Sequence, residues 1–167
     1  MNEQNEKRKI VFGIYPNACG FGFVYMDGPR KIIDYGVVRI NPISNAKILA
    51  RIKQSLAYLR PTVVVVQDPD GKFSRTGSRV SRLIEKIEEY AQGERLQVFR
   101  YSRDQIREVF LQFGATTKYE IAQVLLTEFK ELENRGPKKR TLWAAEDRNL
   151  AIFDALSLAI TWHYLNE

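Results

Sequence analysis

The sequence predicts an α/β domain on a mixed five-stranded sheet, with three antiparallel strands first, then parallel strands, and helices on both faces. Three observations predict it. The chain opens with short apolar segments separated by turn signals, and apolar residues recur at helical spacing between the later strands. Thr62 to Val66 is a continuous β-branched run, which is typical of a central strand covered on both faces.

The first three strands are predicted to form an antiparallel meander. Ile10 to Tyr15 and Gly20 to Met26 are apolar and rich in β-formers, and a turn-prone segment separates them. Asp27-Gly28 is a hairpin signal, and Lys31 to Ile40 alternates as a third strand does. Residues 1–9 are expected to be a flexible N-terminus, and residues 10–167 a single domain.

Helices and strands alternate over the rest of the chain. Two segments, Ser102-x-x-Gln105 and Thr117-x-x-Glu120, look like capping boxes that open helices. The predicted elements are, in order, a helix stopped by Arg60-Pro61, the strand Thr62 to Val66, a helix through Val80 and Ala91, the strand Leu96 to Tyr101, the two capped helices, and a last helix from about Asp147 to Tyr164.

Composition narrows the possible chemistry. The 167 residues carry 26 Lys and Arg against 20 Asp and Glu, a formal charge of +6, with Cys19 the single cysteine and His163 the single histidine. This excludes disulfide frameworks, Cys/His zinc sites, Ser-His-Asp triads and Cys-His dyads. No segment resembles an export signal or a membrane span, so a cytoplasmic protein without a membrane partner is expected.

Asp154 is the most anomalous residue, because it interrupts a helix apolar enough to be buried nearly all round. Its helical face carries a set of small and polar residues: Asp147, Ala151, Ser157 and Thr161. Either Asp147 caps the helix and Asp154 accepts local hydrogen bonds, or Asp154 belongs to a ligand site. Gln67-Asp68 favours a ligand site, because it ends the most apolar strand, although Asp68 also suits a turn.

Basic residues are segregated into clusters. One cluster alone is explained as a solvated surface loop, but several clusters near one predicted edge favour nucleic acid. Phe73 suits stacking on a base or packing on the core. The candidate nucleic-acid ligands are Lys72, Phe73, Arg75, Arg79, Arg82, Lys138, Lys139 and Arg140, and a third cluster contains Arg100, Arg103 and Arg107.

Three segments carry a resemblance to a known family: Gly13-Ile14-Tyr15-Pro16-Asn17 with Gly20-Phe21-Gly22-Phe23, the strand end Gln67-Asp68, and Asp154-Ala155-Leu156-Ser157-Leu158-Ala159-Ile160-Thr161. Together they resemble RuvC-type Holliday-junction resolvases of the ribonuclease H-like superfamily. The resemblance spans Ile10 to Tyr164. It implies a ribonuclease H-like fold, a homodimer, and a structure-specific endonuclease acting on branched or duplex DNA. It also implies two divalent metals, Mg²⁺ or Mn²⁺, held by acids from the first strand, the fourth strand and the last helix.

This sequence departs from the family at three of those acidic positions. The first-strand aspartate falls on Tyr15, the fourth-strand acid on Gln67, and one of the two helix acids on Ala151. Only Asp154 matches. A phenol has an ordinary pKa near 10, so Tyr15 is a poor replacement for a carboxylate that bridges two metals.

Neighbouring carboxylates are candidate replacements. Asp68 replaces Gln67 if a bulge or turn re-aims it, and Glu146 or Asp147 replaces the acid missing on the last helix. The candidate catalytic residues are therefore Asp154, Asp68, Asp147 and Glu146, and the candidate metal ligands are Asp154, Asp68 and Asp147.

The sequence leaves three functions open. The first is a metal-dependent endonuclease on branched DNA, and the second is a ribonuclease H-like domain that binds nucleic acid as a scaffold without cutting it. The third is a nucleotide module of the actin-like or sugar-kinase-like type, whose folds open with a similar meander. It is disfavoured, because such proteins need two domains and the chain has no phosphate-loop signature.

Overall fold

A computed structural model describes residues 9–71, 76–139 and 146–166 of the chain. The strands are β1 (Ile10–Pro16), β2 (Gly20–Asp27), β3 (Ile32–Arg39), β4 (Val63–Gln67) and β5 (Gln97–Tyr101). The helices are α1 (Asn45–Leu59), α2 (Ser78–Gly93), α3 (Arg103–Leu111), α4 (Lys118–Glu128), the short 3₁₀ helix Lys130–Arg135, and α5 (Leu150–Asn166). The predicted order of strands and helices is confirmed.

The five strands form one mixed sheet in the order β3-β2-β1-β4-β5. β2 is antiparallel to β1 and to β3, whereas β4 is parallel to β1 and to β5. The carboxyl ends of β1, β4 and β5 therefore meet at one edge of the sheet. Because Ile10 pairs with Asp27, the turn between β2 and β3 lies at the opposite edge.

Helices cover both faces of the sheet, and alternate side chains of β4 show how. Val63 and Val65 pack in the core formed with α3, α4 and α5, while Val64 and Val66 pack in the core formed with α1 and α2. All four valines are fully buried. The covered central strand predicted from the β-branched run is confirmed.

Side-chain capping fixes where α3 and α4 begin. Ser102 and Gln105 form a reciprocal capping box at the start of α3, and Thr117 and Glu120 form another at the start of α4. Both predicted boxes are confirmed. They hold these two helix N-termini beside the edge where β1, β4 and β5 end.

Helix α5 is buried along almost its whole length and lies unusually close to β1 and β2. A side chain on Gly13 would come within 2.5 Å of the Ala155 carbonyl oxygen, and one on Gly22 would overlap the backbone of Ala151. The two glycines therefore set the distance between the sheet and the helix that carries Asp154.

The last helix begins later than the sequence predicts. Asp147 lies in the turn before α5, where its side chain accepts hydrogen bonds from the backbone N–H groups of Asn149 and Lys138. These bonds favour a turn over a helical continuation. Within the three described ranges, no helix has the length and apolar content needed to cross a bilayer.

Candidate functional site

A cleft of about 1360 Å³ lies at the edge where β1, β4 and β5 end. The starts of α2, α3 and α4 and the segment before α5 complete its walls. It brings together eight of the predicted site residues: Tyr15, Gln67, Asp68, Arg79, Lys138, Glu146, Asp147 and Asp154. The prediction that ligand-binding groups gather at the carboxyl ends of the parallel strands therefore agrees with the position of the cleft.

The other predicted site residues lie elsewhere. Arg82 and Lys139 are exposed outside the cleft lining, and Ala151 is buried against Gly22. The remaining candidates lie outside the described residues: Lys72, Phe73, Arg75 and Arg140.

Asp154 is paired with a lysine from α4. The Nζ atom of Lys118 lies 3.4 Å from Asp154 Oδ2, donates to the Tyr15 hydroxyl at 3.1 Å, and lies 3.7 Å from Glu146 Oε1. The hydroxyls of Ser157 and Thr161 donate to backbone carbonyls of α5 instead. The ammonium group is thus the centre of a cluster, named here the Lys118 cluster, that also contains Tyr15, Glu146 and Asp154.

Burial and mutual charge set the protonation of this cluster. Burial raises the pKa of Asp154 to about 6, with Lys118 opposing the shift and Glu146 adding to it. Burial also raises the pKa of the Tyr15 phenol, and the Asp154 charge raises it further. For Lys118 burial acts against the charge, but Asp154 and Tyr15 outweigh it and raise the pKa of the ammonium group. At neutral pH the cluster therefore holds the Lys118 ammonium, the ionised Asp154 carboxylate and the neutral Tyr15 phenol.

Asp68 faces away from the Lys118 cluster. Its backbone N–H donates to the Tyr101 carbonyl at 2.9 Å, which continues the regular pairing of β4 with β5, so no bulge re-aims it. Its carboxylate accepts from the Asp70 N–H and lies 3.8 Å from Arg100 Nη1. The replacement of Gln67 by Asp68 that the sequence suggested does not occur in this structure, because strand alternation gives the two side chains opposite directions.

Arg100 is neutralised by acidic residues. Its Nε donates to Glu88 at 2.7 Å, and its Nη1 lies 3.3 Å from Asp70 Oδ2. The hydrogen bond to Glu88 is the main reason that the pKa of its guanidinium is raised. In the free protein the predicted third basic cluster therefore has carboxylate partners at Arg100, and its contact with nucleic acid stays a prediction.

Arg79 also has a structural task that the sequence did not indicate. Its guanidinium donates to the Asn17 carbonyl at 2.6 Å and to Asn45 Oδ1 at 2.8 Å, and Asn45 Nδ2 donates to the Arg79 carbonyl at 3.0 Å. These bonds tie the turn after β1 and the start of α1 to α2. Arg79 also lines the cleft, so these bonds give it a structural role, and its contact with a phosphate stays a prediction.

Arg79→Met is expected to lower the free energy of unfolding by about 1 to 3 kcal/mol, because it removes two partly buried hydrogen bonds from a charged donor. Arg82→Met is the matched control, since Arg82 is exposed on the same helix, and its change should stay within about 0.5 kcal/mol. Urea unfolding monitored by circular dichroism measures both. Equal stability of the two variants would contradict the role assigned to Arg79.

Sequence reasoning missed Lys118. The capping box at Thr117 places Lys118 at the first position of α4, but 103 residues separate it from Tyr15 and 36 from Asp154. No short-range pattern reports a contact of that kind. The one available signal was the buried-looking carboxylate of Asp154, which required a partner.

Comparison with known proteins bears on the fold. No protein-family model and no curated protein sequence matches the chain. The structure of Thermus thermophilus RuvC matches with a TM-score of 0.67 and 19% identity over 93% of this chain and 96% of that one. This chain has the RuvC-type fold. T. thermophilus RuvC in complex with a Holliday junction substrate matches with a TM-score of 0.69 and 19% identity, over 95% and 96% of the two chains. The yeast mitochondrial Holliday junction resolvase matches at 0.64 and 14%, over 93% and 78%.

The RuvC-type fold was predicted from the motifs around Tyr15, Gln67 and Asp154, and it is confirmed together with the mixed sheet. The cleft described above lies where these three motifs meet. At these identities the similarity concerns the fold, so activity has to be argued from the residues of this chain.

The residues in the cleft do not fit the pair of divalent metals that the resemblance implies. Hard cations require charged oxygen ligands, but a neutral phenol stands at Tyr15, an amide at Gln67 and a methyl group at Ala151. Within the described ranges, no group of three or more acidic, His or Cys side chains is placed to hold a metal. Asp154, Asp68 and Asp147 thus do not converge, because Asp154 pairs with Lys118 and the other two bind turn N–H groups.

Gln67 retains one unused acceptor in this RuvC-type fold. Its buried Oε1 accepts no hydrogen bond from the described residues. An amide oxygen can contact a cation, but it supplies no negative charge. It therefore does not replace the missing carboxylates.

Proposed function

We propose that this chain binds branched or duplex DNA in the cleft at the carboxyl ends of β1, β4 and β5, and that it does not cut DNA by a two-metal reaction. The proposal rests mainly on the Lys118 cluster. An ammonium group lies between the phenol and the carboxylate that occupy two of the family's acidic positions. The chain thus has the RuvC-type fold, but the charges at the centre of its cleft differ from the all-acidic set that the family resemblance implies.

The walls of the cleft suit a phosphate backbone. The starts of α2, α3 and α4 line it, and helix N-termini attract anions through their N–H groups and dipoles. Arg103 and Lys138 are exposed on the same lining. The acids of the cleft are largely occupied, since Asp154 and Glu146 lie at Lys118 while Asp68 and Asp147 accept from turns. The cations at the rim are therefore available to phosphates.

A structural neighbour supports DNA as the partner. The T. thermophilus RuvC structure with its Holliday junction substrate aligns over 95% of this chain. Cleft shape and charge read the backbone rather than the bases. We therefore expect affinity for junctions and duplexes with little sequence preference.

Fluorescence anisotropy with an immobile four-way junction and a linear duplex tests the proposal. In EDTA, junction affinity should fall about tenfold or more when salt rises severalfold, because each phosphate contact releases counterions. Arg103→Gln should weaken binding and lower the slope of log K against log salt by about 1. Lys138→Gln should do the same.

Arg30→Gln is the matched control. Arg30 is exposed in the turn between β2 and β3, at the edge of the sheet opposite the cleft, so its removal should leave the salt slope unchanged. Absent or salt-independent binding would contradict the proposal. Equal effects of Arg30→Gln and Arg103→Gln would show that binding does not use the cleft.

Metal-dependent cleavage is the second candidate, and the presence of Asp154 and Glu146 in one cleft with the unused Gln67 acceptor favours it. Incubation of labelled junctions, flaps and RNA–DNA hybrids with Mg²⁺ or Mn²⁺ decides between the two. Intact strands are expected. Cutting that Asp154→Asn abolishes would establish the endonuclease instead. The homodimer implied by the resemblance would offer two clefts to a symmetric junction, and light scattering measures it.

A further inference from the structure

The Lys118 ammonium has the surroundings of a bound cation. Three oxygens from three parts of the chain face it: Tyr15 Oη from β1, Glu146 Oε1 from the segment before α5, and Asp154 Oδ2 from α5 itself. Nζ also lies 5.0 Å from the centroid of the Tyr15 ring, within cation–π range. The Lys118 side chain is only 26% exposed, and that of Asp154 only 9%.

We propose that Lys118 is a built-in cation of this cleft: it occupies the space between the β1 and α5 ligand positions, and with Tyr15 it keeps the cleft free of divalent metal. This inference rests on the proposed function and adds a physical reason why the cleft would bind DNA without a metal. It concerns the free protein, so it is tested without DNA.

A metal at Asp154 would compete with the ammonium for the same carboxylate oxygen. A Mg²⁺ ion binds carboxylate oxygen at about 2.1 Å, whereas Nζ already lies 3.4 Å from Asp154 Oδ2. A metal on Asp154 would therefore stand within a few Å of a positive charge in a partly buried cleft, where like charges repel strongly. The backbone of Lys118 cannot withdraw easily, because the capping box of Thr117 and Glu120 fixes the start of α4.

Tyr15 and Lys118 form a matched pair. With a neutral phenol at the β1 position, one ammonium faces the two carboxyl groups of Asp154 and Glu146. A carboxylate at position 15 would add a negative charge beside that ammonium and form a third ion pair. Loss of the lysine charge leaves the acids of the cleft uncompensated, and a carboxylate at position 15 then adds a third, so each change favours a hard divalent cation and the two together favour it most.

The experiment is Mn²⁺ titration of the free protein, followed by the electron paramagnetic resonance signal of unbound Mn²⁺. Wild type should show no saturable site tighter than about 1 mM, a weak affinity even for carboxylate-based cation sites. Tyr15→Asp combined with Lys118→Ala should bind about one Mn²⁺ at least about tenfold more tightly than wild type. Mn²⁺ should also raise the Tm of this double variant by linkage.

Two further variants separate the effect of Lys118 on Mn²⁺ binding from the effect of net charge and of position 15. Tyr15→Asp with Lys138→Ala has the same net charge as the double variant but keeps Lys118, and it should not bind Mn²⁺. Lys118→Gln, which is close to lysine in size, should strengthen Mn²⁺ binding over wild type even if the double variant does not fold.

Two results would overturn the inference. One is saturable Mn²⁺ binding by wild type that Asp154→Asn removes. The other is a folded double variant, or a folded Lys118→Gln variant, that binds Mn²⁺ no better than wild type. Loss of DNA binding in the anisotropy assay would contradict the proposed function and would leave the Mn²⁺ result standing, so the two failures are distinguishable.

Discussion

Gly22→Ala should lower the free energy of unfolding by about 3 kcal/mol or more, at the upper end of the usual cost of overpacking. A methyl group at Gly22 would overlap the carbonyl and Cβ of Ala151 on α5. These are mainly backbone atoms of a buried helix, so no side-chain rotation relieves the contact. The helix has to move away from β2, and Asp154, one turn later on α5, moves with it.

Urea unfolding measures the effect, with Gly93→Ala as the control. A side chain at Gly93, the last residue of α2, meets nothing within 4 Å, so Gly93→Ala should keep the wild-type stability or raise it by up to about 1 kcal/mol. Gly13→Ala should resemble Gly22→Ala, because its methyl group would meet the Ala155 carbonyl oxygen. Wild-type stability of Gly22→Ala would show that α5 does not lie this close to the sheet.

Lys118→Met should destabilise the protein by about 3 kcal/mol near pH 7.5, because it leaves the buried Asp154 carboxylate without its cation. The deficit should shrink as the pH falls towards about 5. A protonated Asp154 needs no cation, and loss of Lys118 raises the pKa of Asp154 further above the value of about 6 that it has with Lys118 present. Unfolding at a series of pH values, with wild type beside the variant, measures the deficit.

The sign of the pH dependence follows from the two pKa values of Asp154. Its folded pKa is about 6 and its unfolded pKa is about 3.9, so the folded state holds more protons between them. The associated stability is fully present below about pH 3.9 and is lost as the pH rises through about 6. Lys118 has a raised pKa, so its stabilising charge is lost only in the alkaline range. Between about pH 4 and 7, the titration of Asp154 therefore determines how the stability contributed by the Asp154–Lys118 pair depends on pH.

Lys118→Met combined with Asp154→Asn is the control for this prediction. The double variant has no buried charge at the two positions. At pH 7.5 it should therefore be more stable than Lys118→Met. Lys138→Met removes an exposed lysine and should change little at any pH. A deficit for Lys118→Met that stays constant between about pH 5 and 8 would contradict the ionised Asp154–Lys118 pair.

Much of the fold was predictable because its signals are local. The hairpin at Asp27-Gly28, the run from Val63 to Val66, and the capping boxes at Ser102 and Thr117 each involve a few consecutive residues. Their consequences depend on backbone preference and burial, which neighbouring residues largely determine. The start of α5 was harder to predict, because the side chain of Asp147 accepts hydrogen bonds that favour a turn over a helix.

The position of the site was also predictable, but the partners of its residues were not. Gln67-Asp68 was expected at a ligand-binding edge because it ends the most apolar strand, and the family resemblance implied that Tyr15 and Asp154 lie beside it. An arginine or lysine has the same appearance in a sequence whether it faces a phosphate or a carboxylate. For Arg79 and Arg100, only the structure shows the protein groups that the guanidinium groups contact.

The sequence by itself determined the α/β class and the order of strands and helices, and it predicted the edge of the sheet where the candidate site lies. Only the tertiary structure decided which groups surround Tyr15 and Asp154. Lys118 reaches Tyr15 across 103 residues and Asp154 across 36, through the packing of α4 and α5 on one face of the sheet. That contact exists because a buried carboxylate requires a cation, and which cation supplies it is a property of the folded chain.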